Sequence, residues 1–592
     1  MLLHIAADRT VAPLAPIWAS TGFTPARHLL ADDMRLNLAY LGSVPHQGIR
    51  HCRVHWLLDL VRVAGVFGNT PAYDWSRLDA ALAVIIDHGL VPFFELMGNP
   101  SQAFTDFGDP MQLRAWRRLC CDLALHLIER YGRDAVLTWH FECWNEPDLP
   151  VMRQPGSILH RLEHNLAYYD ASAAGIKDAD AELRVGGPGT ALGPNQYYED
   201  FLDHCDHGEN AFGGTGAPLD FVSFHVKSQW AGDEQVDPDH QALLRRTRGH
   251  IESVRRRPNL AQLPLYDDEC DPSGPWCRHM LWRPRSYYAA IVVRFLELHL
   301  RHIVDGMGAD LRLVSNDNGF LGPWGYRTLL TRFGSDAELA DGRCELLKKP
   351  VFNAMVLLSL LGDERLAVTG GDDECNVIAT RRGDDQVALL VYHQRDAIMS
   401  SGAQEVELAI DGLPFQEATL ARYRIAPQDE RDVFALWEQH RVDEGISEVG
   451  LQAIRAVQDI GVACEPETVR CANGSWRTTF DMPLHSLELL LLTRDPGTAP
   501  AAVGQPRLAH YHGLHQHQHV LVSWPGLPSR HLRSYEVAMA HSPDGPWQRL
   551  NAGDLLCTAH LHVRPATPQA WYRVRAVDYW GRAGAWSPVV AG

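Results

Sequence analysis

The sequence predicts an α/β chain, a (β/α)8 (TIM) barrel followed by all-β domains, and three observations carry that prediction. The chain has 592 residues, too many for a single core and enough for two to four domains. Residues 38–320 alternate eight short apolar runs with long amphipathic ones, and roughly 300 residues of that alternation is the size of a (β/α)8 barrel. Beyond residue 363 the runs become short, alternating and turn-bounded, as in a β-sandwich. A doubly wound sheet is the competing fold, but it usually opens on a glycine-rich phosphate turn. GGPG at 186–189 lacks that spacing.

The strand-like runs are LAYLGSVP (38–45), HCRVHWLL (51–58), LVPFFELM (90–97), TWHFECWN (138–145), LRVGGPG (183–189), DFVSFHVK (220–227), LPLYDDEC (263–270) and LRLVSND (311–317). Helical patterns follow most of them. PMQLRAWRRLCCDLALHLIERYG (110–132) has apolar residues at three-to-four spacing and a closing glycine, and PRSYYAAIVVRFLELHLRHIVDG (284–306) opens on proline and closes the same way. The first crossover, HQGIR, is short for a βα unit. The barrel is expected over residues 15–362. Residues 1–14 and 363–494 are expected to form the sandwich, from CNVIATRR, QVALLVYH, QEVELAIDG, ATLARYRIA and HSLELLLLTR. A helical insertion near 430–462 interrupts it. Residues 495–507 have linker composition. Residues 508–592 carry SYEVAMAHSPDGPW and WYRVRAVDYWGRAGAWS; this alternating, aromatic-anchored pattern resembles a fibronectin type III domain.

The formal net charge of −19 argues against nucleic-acid or anionic-membrane partners. The N-terminal stretch is interrupted early by Asp8 and Arg9, so it reads as neither signal peptide nor membrane span. Twelve cysteines occur without a CxxC pair, which predicts free thiols, no structural zinc and a reducing, cytoplasmic setting. Nothing in the sequence bears on the oligomeric state.

The chemistry is expected at the C-terminal ends of the barrel strands. Pro147 stops the fourth strand and leaves Asn145 and Glu146 at its end. The second strand offers Arg53 and His55, and the sixth His225 and Lys227. The seventh offers Asp267, Asp268, Glu269 and Asp271. The eighth offers Asn316, Asp317 and Asn318, with Arg327 close behind. Carboxylates from the fourth and seventh strands would face each other across the barrel mouth. Glycoside hydrolysis uses such a pair, one protonated to assist the leaving oxygen and one ionised to attack the anomeric carbon; retaining enzymes hold them about 5–5.5 Å apart. No HExxH and no local ligand cluster is present, so neither metal nor cofactor is expected.

FECWNEPD and LYDDECDP resemble the acid/base and nucleophile motifs of glycoside hydrolase family 39. NLAYLGSVPHQGIR, VHWLLDLV, FFELMGN, FTDFGDP, GGPGT, SNDNGFL, RTLLTRF and YRVRAVDYWGRAG resemble, in order, the members of that family that release α-L-iduronate. The resemblance runs from STGF (20–23) nearly to the end. It implies a barrel, a sandwich and a fibronectin-like domain. It also implies a retaining exo-glycosidase that removes terminal α-L-iduronic acid from glycosaminoglycan-type oligosaccharides. By the resemblance Glu146 is the acid/base and Glu269 the nucleophile, and Asn145 bonds the sugar 2-hydroxyl. His55, His225, Trp276, Asp317 and Arg327 line the sugar pocket, Lys227 meets its carboxylate, and Arg53 lies behind them. A buried anion needs a paired cation; a β-xylosidase, the alternative within the family, has no evident use for Lys227 and Arg327. The family pattern has glycine before the tryptophan matching Trp276. Pro275 stands there instead and offers no N–H. A non-catalytic carbohydrate-binding or adhesion protein is the alternative outside enzymes.

Other residues have plainer readings. Strand alternation turns Asp268 away from the side Glu269 faces, so Asp267, Asp268 and Asp271 are read as structural or as supports behind the residues that touch the sugar. Cys143 and Cys270 are read as packing. His515, His517 and His519 alternate and could share a strand face with some metal affinity. The arginines of RRTRGHIESVRRRP (245–258) fit a solvated helical face.

Overall fold

The structure is a computed structural model; it describes residues 1–592 apart from residues 24, 69, 155–156, 230–235, 316–317, 319–320, 430, 444 and 565–568. Eight parallel strands form one sheet: Ser20–Phe23, His51–Val54, Val91–Glu95, His140–Glu142, Val185–Thr190, Phe221–Gln229, Leu265–Ser273 and Leu311–Val314. Backbone bonds from Val314 N to Ile17 O (2.7 Å) and from Asn318 N to Gly22 O (3.0 Å) bring the eighth strand back to the first, closing a barrel. Each strand is followed by a helix: Asp32–Gly42, Ser76–Asp87, Pro110–Tyr131, Leu162–Ala179, Gln196–His207, His240–Arg255, Ser286–His299 and Pro350–Ser359. Helices on the outside leave the strands buried on both faces, and the sixth and seventh strands are buried along their whole length.

The expected first strand, 38–45, is instead the end of the helix Asp32–Gly42. Asp32 and Asp33 in its first turn complement the helix dipole, and Met34, Leu36, Leu38, Ala39 and Leu41 are good helix formers. A parallel crossover also needs a dozen residues or more, which HQGIR does not supply. The true first strand is four residues of STGF, all buried, too short to show a period.

Inside the barrel the period of two stacks side chains in layers. The floor is aromatic. Phe93, Phe221, Tyr266 and Leu313 cluster together, and His140 stacks on Phe93 at 5.1 Å and reaches the Tyr266 hydroxyl at 2.9 Å. Two residues further along the same strands the chain places Glu95, Glu142, Ser223 and Asp268, with Arg53 beside them. Every one of them is fully buried. An apolar floor thus carries a charged second storey, and the mouth lies above it.

A second sheet of nine strands runs in the order Glu467–Arg470, Glu417–Ile425, Ser486–Thr493, Gln386–His393, Cys375–Arg382, Glu364–Gly370, Leu2–Pro13, Ala403–Asp411 and Trp476–Pro483. The N-terminal strand pairs antiparallel with Glu364–Gly370 and parallel with Ala403–Asp411. Alternation splits its side chains between two cores. Val387, Leu389 and Val391 join Leu3, Ile5, Leu408 and Leu490 inside this unit, while Ala388, Leu390 and Tyr392 face the barrel. The helices Val433–His440 and Glu448–Val457 follow the strand Glu417–Ile425.

The last unit has a three-stranded sheet (Arg507–His512, Gln518–Ser523, Ala559–Arg564) and a four-stranded one (Gln548–Arg549, Leu532–Ala540, Trp571–Asp578, Val590–Ala591). The histidines at its start do not share a strand face. Leu514–Gln516 is a 3-10 turn with His515 at φ 54°. Each histidine has its own partner: His515 the Ile446 carbonyl (3.3 Å), His517 the Glu448 carboxylate (3.1 Å), and His519 the buried Glu345 (3.0 Å), which Arg455 also grips.

Candidate active site

Arg53 organises the storey beneath the mouth. Its Nε donates to Glu142 Oε2 (2.7 Å) and lies 3.1 Å from Asp268 Oδ2. Its Nη1 reaches Glu95 Oε1 and Glu269 Oε1 (both 3.1 Å), and its Nη2 donates to Asn145 Oδ1 (2.9 Å). One guanidinium therefore holds both strand ends, the fourth through Asn145 and the seventh through Glu269. Four carboxyl groups around one cation are too many charges to bury. Burial and the Glu142 charge push Asp268 well above the usual carboxylate range. Burial alone would raise Glu142 too, but Arg53 and hydrogen bonds from Asp268 and Ser223 hold it below. The pair keeps its proton on Asp268.

The alternation rule places Asp268 on the far side from Glu269, and the structure does not. The sixth and seventh strands slip register between Asp267 and Glu269, so that Asp267 opposes Phe224 and Glu269 opposes His225. This β-bulge leaves Asp268 unpaired and turns both it and Glu269 inward, onto Arg53. Asp267 faces out instead, accepting from Val226 N at 3.0 Å.

Glu269 is 5% exposed and ringed by cations. Lys227 Nζ lies 3.1 Å from its Oε2, Arg327 Nη2 3.4 Å, and His225 Nδ1 3.8 Å. Burial alone would raise its pKa, yet His225, Lys227, Arg327 and Arg53 together hold it well below the usual value. Glu146 is differently placed. Its backbone turns through φ 48°, just after Trp144 at φ 71°, and its amide is anchored on Gly189 O (2.9 Å). Its side chain is 18% exposed, with one oxygen 2.9 Å from His225 Nδ1. An oxygen of Glu146, an oxygen of Glu269 and a ring nitrogen of His225 all lie within 4.8 Å of one another. That spacing suits a retaining pair.

Of the other residues named from the sequence, His55 stands at the mouth with Nδ1 2.8 Å from both oxygens of Glu95. Burial lowers a histidine, but the Glu95 carboxylate raises this one above its ordinary value. Trp276 is 38% exposed, and its carbonyl accepts from Arg327 N (3.0 Å). Asp317 and Asn316 lie outside the described residues. Asn318 reaches back to the first helix, donating to Asn37 Oδ1 at 3.0 Å.

Two partners were not legible as site residues, and a third, Asp271, was named without its partners. Glu95 and Glu142 sit two residues beyond Phe93 and His140 on the inward face, and counting inward positions by twos along each strand would have found them. Asp271 is buried between Lys227 (3.2 Å) and Arg327 (3.3 Å), so the two cations meet Glu269 on one side and Asp271 on the other. GGPG at 186–189 is also explained. A Cβ at Gly186 would stand 2.4 Å from the Phe221 carbonyl, and one at Gly189, where φ is +57°, 3.1 Å from Glu142 Oε1. The fifth strand must pass close to its neighbours there, and only glycine fits.

Among the described residues two groups bring three metal-capable atoms together. The first is Glu146, His225 and Glu269, where Arg53, Lys227 and Arg327 oppose a cation. The second, Asp267, Cys270 and His299, lies behind the seventh strand. His299 Nδ1 is there engaged by Phe295 O (2.7 Å), and its Nε2 lies 3.2 Å from the Thr247 hydroxyl. Burial pushes the Cys143 and Cys270 thiols well above their ordinary value, which suits packing. From the basic helix, Arg246 bonds the carbonyls of Lys227 and Ser228, while Arg256 and Arg257 pair with Glu199.

Comparison with known proteins agrees with this geometry. Residues 1–418 match the family described as Glycosyl hydrolases family 39, and residues 513–591 match the Alpha-L-iduronidase C-terminal domain. The chain is 34% identical to the α-L-iduronidase of Canis lupus familiaris, over 99% of this chain and 92% of that protein. It is 33% identical to that of Homo sapiens, over 100% and 93%. A solved bacterial orthologue of human α-L-iduronidase superposes with a TM-score of 0.91 at 32% identity, covering 100% of this chain and 99% of the other.

Proposed function

The chain belongs to glycoside hydrolase family 39, and from that premise we propose that it is a retaining exo-glycosidase that removes terminal α-L-iduronate from short glycosaminoglycan-type oligosaccharides. The observation that carries the reading is the pair of strand-end carboxylates within 4.8 Å, one of them ringed by cations. Glu269 attacks the anomeric carbon as the glycosidic bond breaks, and protonated Glu146 gives its proton to the departing oxygen. Glu146, now a base, takes a proton from water; the water displaces Glu269 and the sugar leaves with its configuration retained.

Asn145, its oxygen held by Arg53, turns its NH2 toward the sugar 2-hydroxyl. Lys227 and Arg327 receive the uronate carboxylate, and His55, His225 and Trp276 line the pocket; the family resemblance adds Asp317, which lies outside the described residues. The reaction as written uses no cofactor. The twelve free cysteines fit a reducing compartment, and among the described residues no helix is long and apolar enough to cross a membrane. We assign residues 15–362 to the barrel, 1–14 with 363–494 to the sandwich, and 508–592 to the terminal domain.

The test compares two fluorogenic substrates, an α-L-iduronide and a β-D-xyloside, with the wild type and Glu269→Ala. Iduronide cleavage lost in the variant is the expected result. Cleavage of the xyloside alone would keep the mechanism and overturn the substrate. Turnover of neither would overturn both substrates and leave a different sugar, or the carbohydrate-binding reading, to be tested next.

A further inference from the structure

We propose that Arg283 sets the preference for a charged sugar, as a positioning residue whose guanidinium places a positive charge, bonded to no carboxylate among the described residues, behind Arg327. The proposal rests on the uronate reading above and deepens it.

The wall of the pocket at residues 273–276 has four successive carbonyls, and two arginines hold all of them. Arg283 Nη2 donates to Ser273 O (3.4 Å) and Pro275 O (2.8 Å). Arg327 donates through Nη1 to Gly274 O (2.9 Å) and through its backbone N to Trp276 O (3.0 Å). The segment therefore does not need the N–H that Pro275 lacks; its course is set by what its carbonyls accept. Arg283 Nη1 extends the grip to Arg278 O (2.9 Å) and Gly325 O (3.2 Å).

The charge balance gives this arrangement its consequence. Lys227 and Arg327 each face Glu269 and Asp271, so both cations are already engaged by carboxylates before any substrate arrives. A uronate entering that desolvated site adds a further negative charge. Arg283 is fully buried and bonds only to backbone carbonyls; among the described residues no carboxylate pairs with it. Its burial lowers its pKa to about 10, which still leaves it charged at neutral pH. Lys349 lies nearby, donating to Tyr326 O (2.8 Å) next to Arg327; burial and the Arg283 charge push it well below its ordinary value. Arg283 thus adds positive charge to this wall with no carboxylate bonded to it among the described residues.

The experiment measures kcat and KM for an aryl α-L-iduronide and for its methyl ester, which keeps the ring and leaving group and removes the charge. Wild type, Arg283→Met and Arg283→Lys are compared, with thermal unfolding to establish that each is folded. Arg283→Met should raise KM for the acid by about 10-fold while changing the ester less than about 3-fold. Arg283→Lys should restore the acid-to-ester ratio. If the Met variant does not fold, Arg283→Gln, which keeps donors and loses the charge, takes its place with the same expectation. Equal losses on acid and ester, or no loss on either, would overturn the proposal while leaving the uronate reading intact. A wild type that does not prefer the acid over the ester would overturn both.

Discussion

The ends of the fourth and seventh barrel strands carry the same functional group in opposite surroundings. Glu146 stands on a left-handed turn, partly open to solvent, with one histidine within reach. Glu269 stands on a bulged strand, almost closed off, with three cations and a histidine around it. The difference teaches how a fold distributes roles between two carboxyl groups. A ring of positive charge stabilises the ionised form and makes a standing nucleophile. A group free of that ring can hold and release a proton as the reaction proceeds. Position at the strand end supplies reach, and the neighbours supply the role.

The comparison can be broken most severely at the seventh strand. Glu269→Ala should lower kcat on the order of 10^4-fold or more for every substrate, because no other group forms the covalent bond; steady-state assays on good and poor leaving groups check this. The fourth strand should respond selectively. Glu146→Gln should lose about 10^2- to 10^4-fold on substrates with poor leaving groups and much less on activated aryl glycosides. An equal loss on both would assign Glu146 some other part.

Arg53 joins the two ends, so its loss should be felt in stability. Arg53→Leu strands Glu95, Glu142 and Glu269 against each other and should cost about 3–5 kcal/mol, read from denaturant unfolding. Lys227 touches the seventh-strand carboxylates, which sharpens the contrast. Lys227→Met removes a cation that favours ionised Glu269, so the acidic limb of kcat/KM should move to higher pH.

The most gradual effect is expected behind the bulge. Burial raises Asp267 from 3.8 to about 7. Between those values the folded chain binds a proton that the unfolded chain does not, so stability falls as pH rises, by at most about 1.4 kcal/mol per pH unit. Asp267→Asn should flatten that slope in unfolding curves measured from pH 4 to 7.

Much of this was legible in the sequence because barrels announce themselves by repetition. Seven of the eight strands appear as apolar runs, and Pro147 marks where the fourth one stops. The first strand escaped because four residues show no period, while the C-terminal half of the helix Asp32–Gly42, Leu38 to Leu41, is an apolar run that passes for a strand. His55, Asn145, Glu146, His225, Lys227, Glu269 and Arg327 are brought together at the mouth, the first three just beyond strand ends, the next three within the long sixth and seventh strands, and Arg327 in the segment after the eighth. Asp268 was misread for a specific reason. A bulge is one extra residue in one strand, and nothing in DDEC reveals which residue goes unpaired. Glu95 and Glu142 were passed over because each is a lone acid inside an apolar run, and its partner, Arg53, lies on another strand. Asp271 shows the same limit: its meaning lies in Lys227 and Arg327, which come from other parts of the chain.

The most direct measurement is to trap the glycosyl-enzyme with a 2-deoxy-2-fluoro-α-L-iduronosyl fluoride and locate the added mass by peptide mapping. The fluorine slows both steps and the good leaving group spares the first, so the covalent intermediate accumulates. One equivalent bound through the peptide carrying Glu269, and absent in Glu269→Ala, is the predicted result. A label on Glu146, or turnover with no label and an inverted product, would contradict the roles assigned to the two strand ends.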